Sequence, residues 1–129
     1  MRFLLAVTLA AVTATGAALA QQARWAAVDA NREASSPVAW GNSESQAKER
    51  AVEACEKVSK TCANGPGATN DTGDVFAYMC CTRPKLGCAV APGDSPDEAA
   101  ALVRKTLTDA GYGNCALRHH LSAGNGKKQ

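Results

Sequence analysis

The chain has 129 residues, 14 of them Lys or Arg and 12 Asp or Glu, and it is 46% hydrophobic but only 5% aromatic. So even a charge balance speaks against a nucleic-acid binder, which carries a clear basic excess. Its length suits one domain with a small core, and its six cysteines become the main question of chemistry.

Residues 1–20, "MRFLLAVTLAAVTATGAALA", read as a secretory signal peptide. Arg2 supplies the basic start, an apolar run follows from Phe3, and Ala18-Leu19-Ala20 forms the small-residue cleavage site. The apolar run is shorter than the roughly 20 residues that span a bilayer, so no integral span is expected once the leader is cleaved. The exported part is then one domain, residues 21–123, with a basic tail at 124–129 that is expected to be disordered. Localisation follows as periplasmic or secreted.

Strand signals come first in the domain. "WAAVDA" (Trp25 to Ala30) and "SPVAW" (Ser36 to Trp40) flank the polar turn "NREAS". Gly41 then leads into Ser43, an N-cap with Gln46 three residues on, which is a capping box. The helix is expected from Glu44 to Ser59, with Ala47, Ala51, Cys55 and Val58 as its apolar stripe. Glu44–Lys48, Glu53–Lys57 and Glu56–Lys60 lie acid-before-base on its outer face, as on a solvated surface. "ANGPGATNDTGD" (Ala63 to Asp74) is rich in turn formers and reads as a mobile loop.

The second half repeats this order. "VFAYMCC" (Val75 to Cys81) and "GCAVA" (Gly87 to Ala91) are strands about the turn "TRPKL". Ser95, Pro96 and Glu98 then supply an N-cap, a proline at N1 and a second capping box. This helix is expected from about Pro96 to Ala110, ended by Gly111, with Ala99, Leu102, Val103, Thr106, Leu107 and Ala110 on its stripe. "VAWGNSESQA" (Val38 to Ala47) aligns without gaps on "VAPGDSPDEA" (Val90 to Ala99), which suggests an internal duplication. "NCALRHHLS" (Asn114 to Ser122) is the last strand. The order is ββα–ββα–β. The fold class is α+β: a small antiparallel or mixed sheet of about five strands, with two helices on one face and disulfides as staples.

Alternation puts Val75, Ala77, Met79 and Cys81 on one face and Phe76, Tyr78 and Cys80 on the other. Cys115, Leu117, His119 and Leu121 are expected to share a face of the last strand. Adjacent Cys80 and Cys81 must therefore reach different partners. A redox centre would need C-x-x-C at a helix start, and zinc favours short paired spacings; neither occurs. All six cysteines, Cys55, Cys62, Cys80, Cys81, Cys88 and Cys115, are read as disulfide staples in an oxidising compartment. Two pairings that exclude each other stay open for Cys81, with Cys88 across the turn or with Cys55 on the helix.

Other candidate chemistry is thin. His119 and His120 diverge on a strand and do not chelate one ion, and Ser95 is a cap before it is a nucleophile. Asp29, Glu33, Asp94 and Asp97 have no evident partner, and no hydrolase, zincin or phosphate-loop motif is present. No cofactor and no metal is expected.

The run Ala26-Ala27-Val28, then Trp40-Gly41, then Ser43-x-x-Gln46-Ala47-x-x-x-Ala51-x-x-x-Cys55, with Cys62 after it, resembles a bacterial family of exported domains, domain of unknown function 4189. The likeness covers Trp25 to Cys62 best. It implies a secreted or periplasmic disulfide-containing domain and transfers no active-site residue. The sequence is thus read as a non-enzymatic binding protein, of inhibitor or immunity type, with a protein partner in the cell envelope. Phe76 and Tyr78 are the expected contact residues, on a sheet face left open by the helices. The alternatives are an envelope thiol–disulfide or hydrolytic enzyme, and a structural envelope component.

Overall fold

The computed structural model describes residues 24–129, so the expected signal peptide and cleavage site lie outside the described residues. Among the described residues, six strands and two helices follow in order: β1 (Trp25–Val28), β2 (Ala39–Gly41), α1 (Glu44–Glu56), β3 (Gly67–Thr69), β4 (Val75–Arg83), β5 (Gly87–Gly93), α2 (Pro96–Asp109) and β6 (Gly113–Ser122). They form two three-stranded antiparallel sheets, β2-β1-β3 and β5-β4-β6. In each, the first strand of the half is central and the helix precedes the third strand.

The expected single sheet of about five strands is therefore replaced by two sheets. The missing strand is β3, three residues inside the segment read as a mobile loop. It pairs with β1, from Ala26↔Thr69 to Val28↔Gly67. The helices do not share a face either. Ala27 packs under Ala47 and Ala51 of α1, while Ala77, Met79 and Cys81 pack under Ala99, Val103 and Leu107 of α2. The remaining sheet faces meet each other through Ala26, Val28, Phe76, Tyr78, Cys80 and Leu121. The layers run helix, sheet, sheet, helix. A narrow Ala-rich stripe covers only one small sheet, so each sheet must find its second cover in the other.

Both helix starts are built alike. Ser43 accepts from Gln46 N and Ser95 from Glu98 N, while the Gln46 and Glu98 side chains accept from the Asn42 and Asp94 amides. A Cβ on Gly41 would lie 2.7 Å from Ala47 N, and one on Gly93 2.5 Å from Ala99 N. Each strand end therefore passes too close to its helix for any side chain. Helix α1 stops three residues short of expectation, at Glu56, with Lys57 as C-cap. Val58 is consequently outside the stripe and exposed. Of the three expected ion pairs on α1, Glu44–Lys48 forms at 2.8 Å.

A bulge alters the last strand. Register passes from Tyr78↔His119 to Met79↔Leu117, so Arg118 has no opposite number on β4. Cys115 and Leu117 thus face α2, while His119 and Leu121 face the other sheet, and the expected common face is broken at Arg118. The C-terminal residues, expected as a disordered tail, turn back on β6. Ser122 N donates to Lys127 O, Gln129 N donates to His120 O, and Leu121 bridges to Lys128. Trp40 packs on this turn: its Nε1 donates to Ala123 O at 2.8 Å, and Gly126 lies against its ring.

Candidate functional site

All six cysteines are paired: Cys55–Cys62, Cys80–Cys88 and Cys81–Cys115. Neither pairing left open for Cys81 occurs. Cys81 lies on the α2 face, where its directly opposed partner on β6 is Cys115. Cys80 lies on the inter-sheet face opposite Cys88 of β5. Central strand β4 is thus fastened to one neighbour on each face, just before the hairpin turn.

Phe76 and Tyr78 do not form an open surface. Both are 0% exposed, because the second sheet covers the face they occupy. Tyr78 instead anchors the β1–β2 loop. Its hydroxyl donates to Asn31 O at 3.0 Å and accepts from Asn31 N. Asn31 Nδ2 in turn donates to Ser36 Oγ at 2.8 Å. Burial pushes the Tyr78 phenol up, against the Ser36 and Asn31 hydrogen bonds that lower it, so it stays protonated as a donor. His119 stacks at 5.2 Å from the Tyr78 ring, and burial, followed by Lys128 and His120, pushes its imidazole down. His120 faces the other way, with Nε2 3.1 Å from Pro96 O of α2. The two histidines do not converge.

The surface that does form lies at the hairpin end. A cleft of about 230 Å³ opens between the halves, walled by the Ala30–Arg32 loop, by Thr61–Ala63 after α1, by Lys85–Cys88 and by Tyr112. Cys62 and Cys88 bring two disulfides into its walls. The first wall is held by Asp29, fully buried, whose two carboxylate oxygens accept from Asn64 N and Gly65 N at 3.1 Å each. Asp29 also lies near the Cys55 and Cys62 sulfurs, but those are bonded to each other and offer no thiolate to a metal. Arg32 N donates to Thr61 Oγ1 at 3.0 Å, and Glu33 accepts from Ser59 and Thr61 on the outer side. The Ser59 hydroxyl, then Thr61, hold the Glu33 carboxyl below its usual range.

The carboxylates at this end, Asp29 behind the first wall and Glu33 on the outer side, are both taken up by hydrogen bonds and neither lines the cleft. Arg32 and Lys85 line the cleft, and none of its lining residues is acidic. The turn beyond it, Thr82 to Leu86, is exposed throughout and includes Arg83 and the apolar Leu86. Sequence reasoning missed this cleft because its walls come from four separated segments. Cys62 and Cys88, expected only as staples, were the signal available. No family model matches the sequence, and comparison with curated proteins and with solved structures finds no match. No helix among the described residues is long and apolar enough to cross a membrane.

Proposed function

We propose that the protein is an exported, non-enzymatic binding module that seats the β4–β5 turn and the adjoining cleft on an acidic segment of a partner protein. The observation that carries this reading is the cleft lined by Arg32 and Lys85, with no acid, beside a turn fastened at its base by two disulfides. A fixed, exposed turn loses little entropy on docking. The cleft is smaller than the roughly 300–1,000 Å³ of typical small-molecule sites, and it suits one or two side chains of a partner. An inhibitor or immunity role in the cell envelope is the form of binding most in keeping with so small a scaffold.

Three disulfides agree with a periplasmic or secreted location. So does the likeness of Trp25–Cys62 to the exported family of domain 4189, which assigns no activity. The matching strand orders and the equivalent Gly41/Gly93 and Ser43/Ser95 contacts support descent of the halves from one duplicated ββαβ unit.

Cross-linked capture from the exported fraction tests the binding reading. Arg32→Glu combined with Lys85→Glu is expected to lose the partner, while Arg104→Glu on exposed α2 keeps it. Equal recovery by both proteins contradicts the assignment. One observation favours a second reading: half-buried Cys88 lines the cleft beside Lys85, as a disulfide open to exchange would. Catalytic turnover in an insulin-reduction assay would move the function to that class.

A further inference from the structure

We propose that Asp71, Asp74 and Asp94 form a calcium site at the end of the molecule opposite the hairpin turn. One carboxylate oxygen from each lies within 4.8 Å of the others. Asp71 and Asp74 come from the turn between β3 and β4, and Asp94 from the turn between β5 and α2. Asp74 is only 8% exposed. Its Oδ2 accepts from Thr69 Oγ1, and its Oδ1 has no hydrogen-bond partner. The neighbouring carboxylates of Asp71 and Asp94 are acceptors as well, and both repel the Asp74 charge. A buried carboxylate facing acceptors needs either a proton or a cation between them.

The chemistry of the set favours a hard cation. Every ligand is a carboxylate oxygen, with no imidazole or thiolate, which suits calcium and excludes a zinc-type site. Neither ion pair found among the described residues involves these acids.

Position gives the site a purpose. Asp74 immediately precedes β4, and the Cys80–Cys88 and Cys81–Cys115 bridges lie near that strand's other end. The Cys55–Cys62 bridge sits on the cleft at that same far end. The Asp71–Asp74–Asp94 end has no disulfide. A calcium ion there would tie the turn before β4 to the start of α2, as the bridges tie the hairpin end.

The test uses the oxidised, chelator-treated protein with calcium chloride as the probe, read by titration calorimetry and thermal melting. Saturable one-site binding is expected, with a dissociation constant on the order of 10⁻⁴ to 10⁻³ M, as in extracellular calcium modules. Asp94→Asn, exposed and outside the core, is expected to weaken it about tenfold or more while far-UV circular dichroism stays unchanged. Absence of heat and of any melting shift in the native protein would overturn the proposal, as would equal affinity in Asp94→Asn. Stabilisation by Asp74→Asn with no calcium effect on the native protein would likewise overturn it, and would assign a shared proton instead.

Discussion

Cys80 and Cys81 are neighbours in the chain whose sulfurs leave β4 on opposite faces, one toward the other sheet and one toward α2. Each meets the residue directly across the ladder, Cys88 on β5 and Cys115 on β6. A strand period of two makes this the natural use of an adjacent pair, since both edges of a central strand are then fastened at one level. The hairpin turn that follows inherits its position from both bridges.

The two bridges should differ in their contribution to stability. Cys80–Cys88 closes a sequence separation of 8 and Cys81–Cys115 one of 34. Replacing either pair by alanine is expected to remove about 2–4 kcal/mol, with the larger loss for Cys81→Ala/Cys115→Ala, because the longer loop constrains the unfolded chain more. Denaturant melts of the two double variants measure the difference. The reverse order would mean that native packing, and not loop entropy, sets the ranking.

Gly41 and Gly93 should respond alike. A methyl group at either would strike the backbone of its helix, at Ala47 N or Ala99 N. Gly41→Ala and Gly93→Ala are each expected to destabilise by about 1–3 kcal/mol, the usual cost of overpacking. Thermal melts check this. A neutral effect at one position only would show that the two strand–helix junctions are not equivalent.

Tyr78 contributes through its hydroxyl as well as its ring. Tyr78→Phe removes both bonds to the Asn31 backbone in a buried setting. The loss should be about 1–3 kcal/mol, with faster hydrogen exchange in the loop that walls the cleft. Exchange unchanged at Asn31 and Arg32 would contradict the anchoring role.

These residues also show what was legible in the sequence. The helix starts were, because Ser43 with Gln46 and Ser95 with Pro96 and Glu98 are local signals that act within one turn. The face assignment of Phe76, Tyr78 and Cys80 was legible too, since alternation along β4 is local. What covers that face is not local. Strand β3 is three residues, Gly67–Thr69, with no run of β-formers, so the second sheet was invisible and Phe76 and Tyr78 looked exposed. The bulge at Arg118 leaves no compositional mark either, and it moves His119 to the other side. The folded-back tail packs against Trp40, a contact between residues 83 positions apart.

Asp74 predicts the pH dependence of the metal-free protein. Its folded pKa is raised, so the folded state binds that proton more tightly than the unfolded state. Its contribution is therefore most favourable below the ordinary aspartate value and is lost as pH rises through the raised one. In chelator, the native protein should gain stability on acidification across that window relative to Asp74→Asn, which lacks the titration. Calcium should reduce the difference by favouring the ionised carboxylate. Parallel pH profiles for the two proteins in chelator would contradict the raised value.

The pattern of sulfur linkage tests the central claim most directly, because the proposed binding role requires a hairpin fastened on both faces. Non-reducing peptide mapping of the protein purified without reductant, with partial reduction and differential alkylation to separate Cys80 from Cys81, reads it out. The predicted result is Cys55–Cys62, Cys80–Cys88 and Cys81–Cys115 with no free thiol. Free thiols at Cys80 and Cys88, or a Cys81–Cys88 linkage, would contradict it.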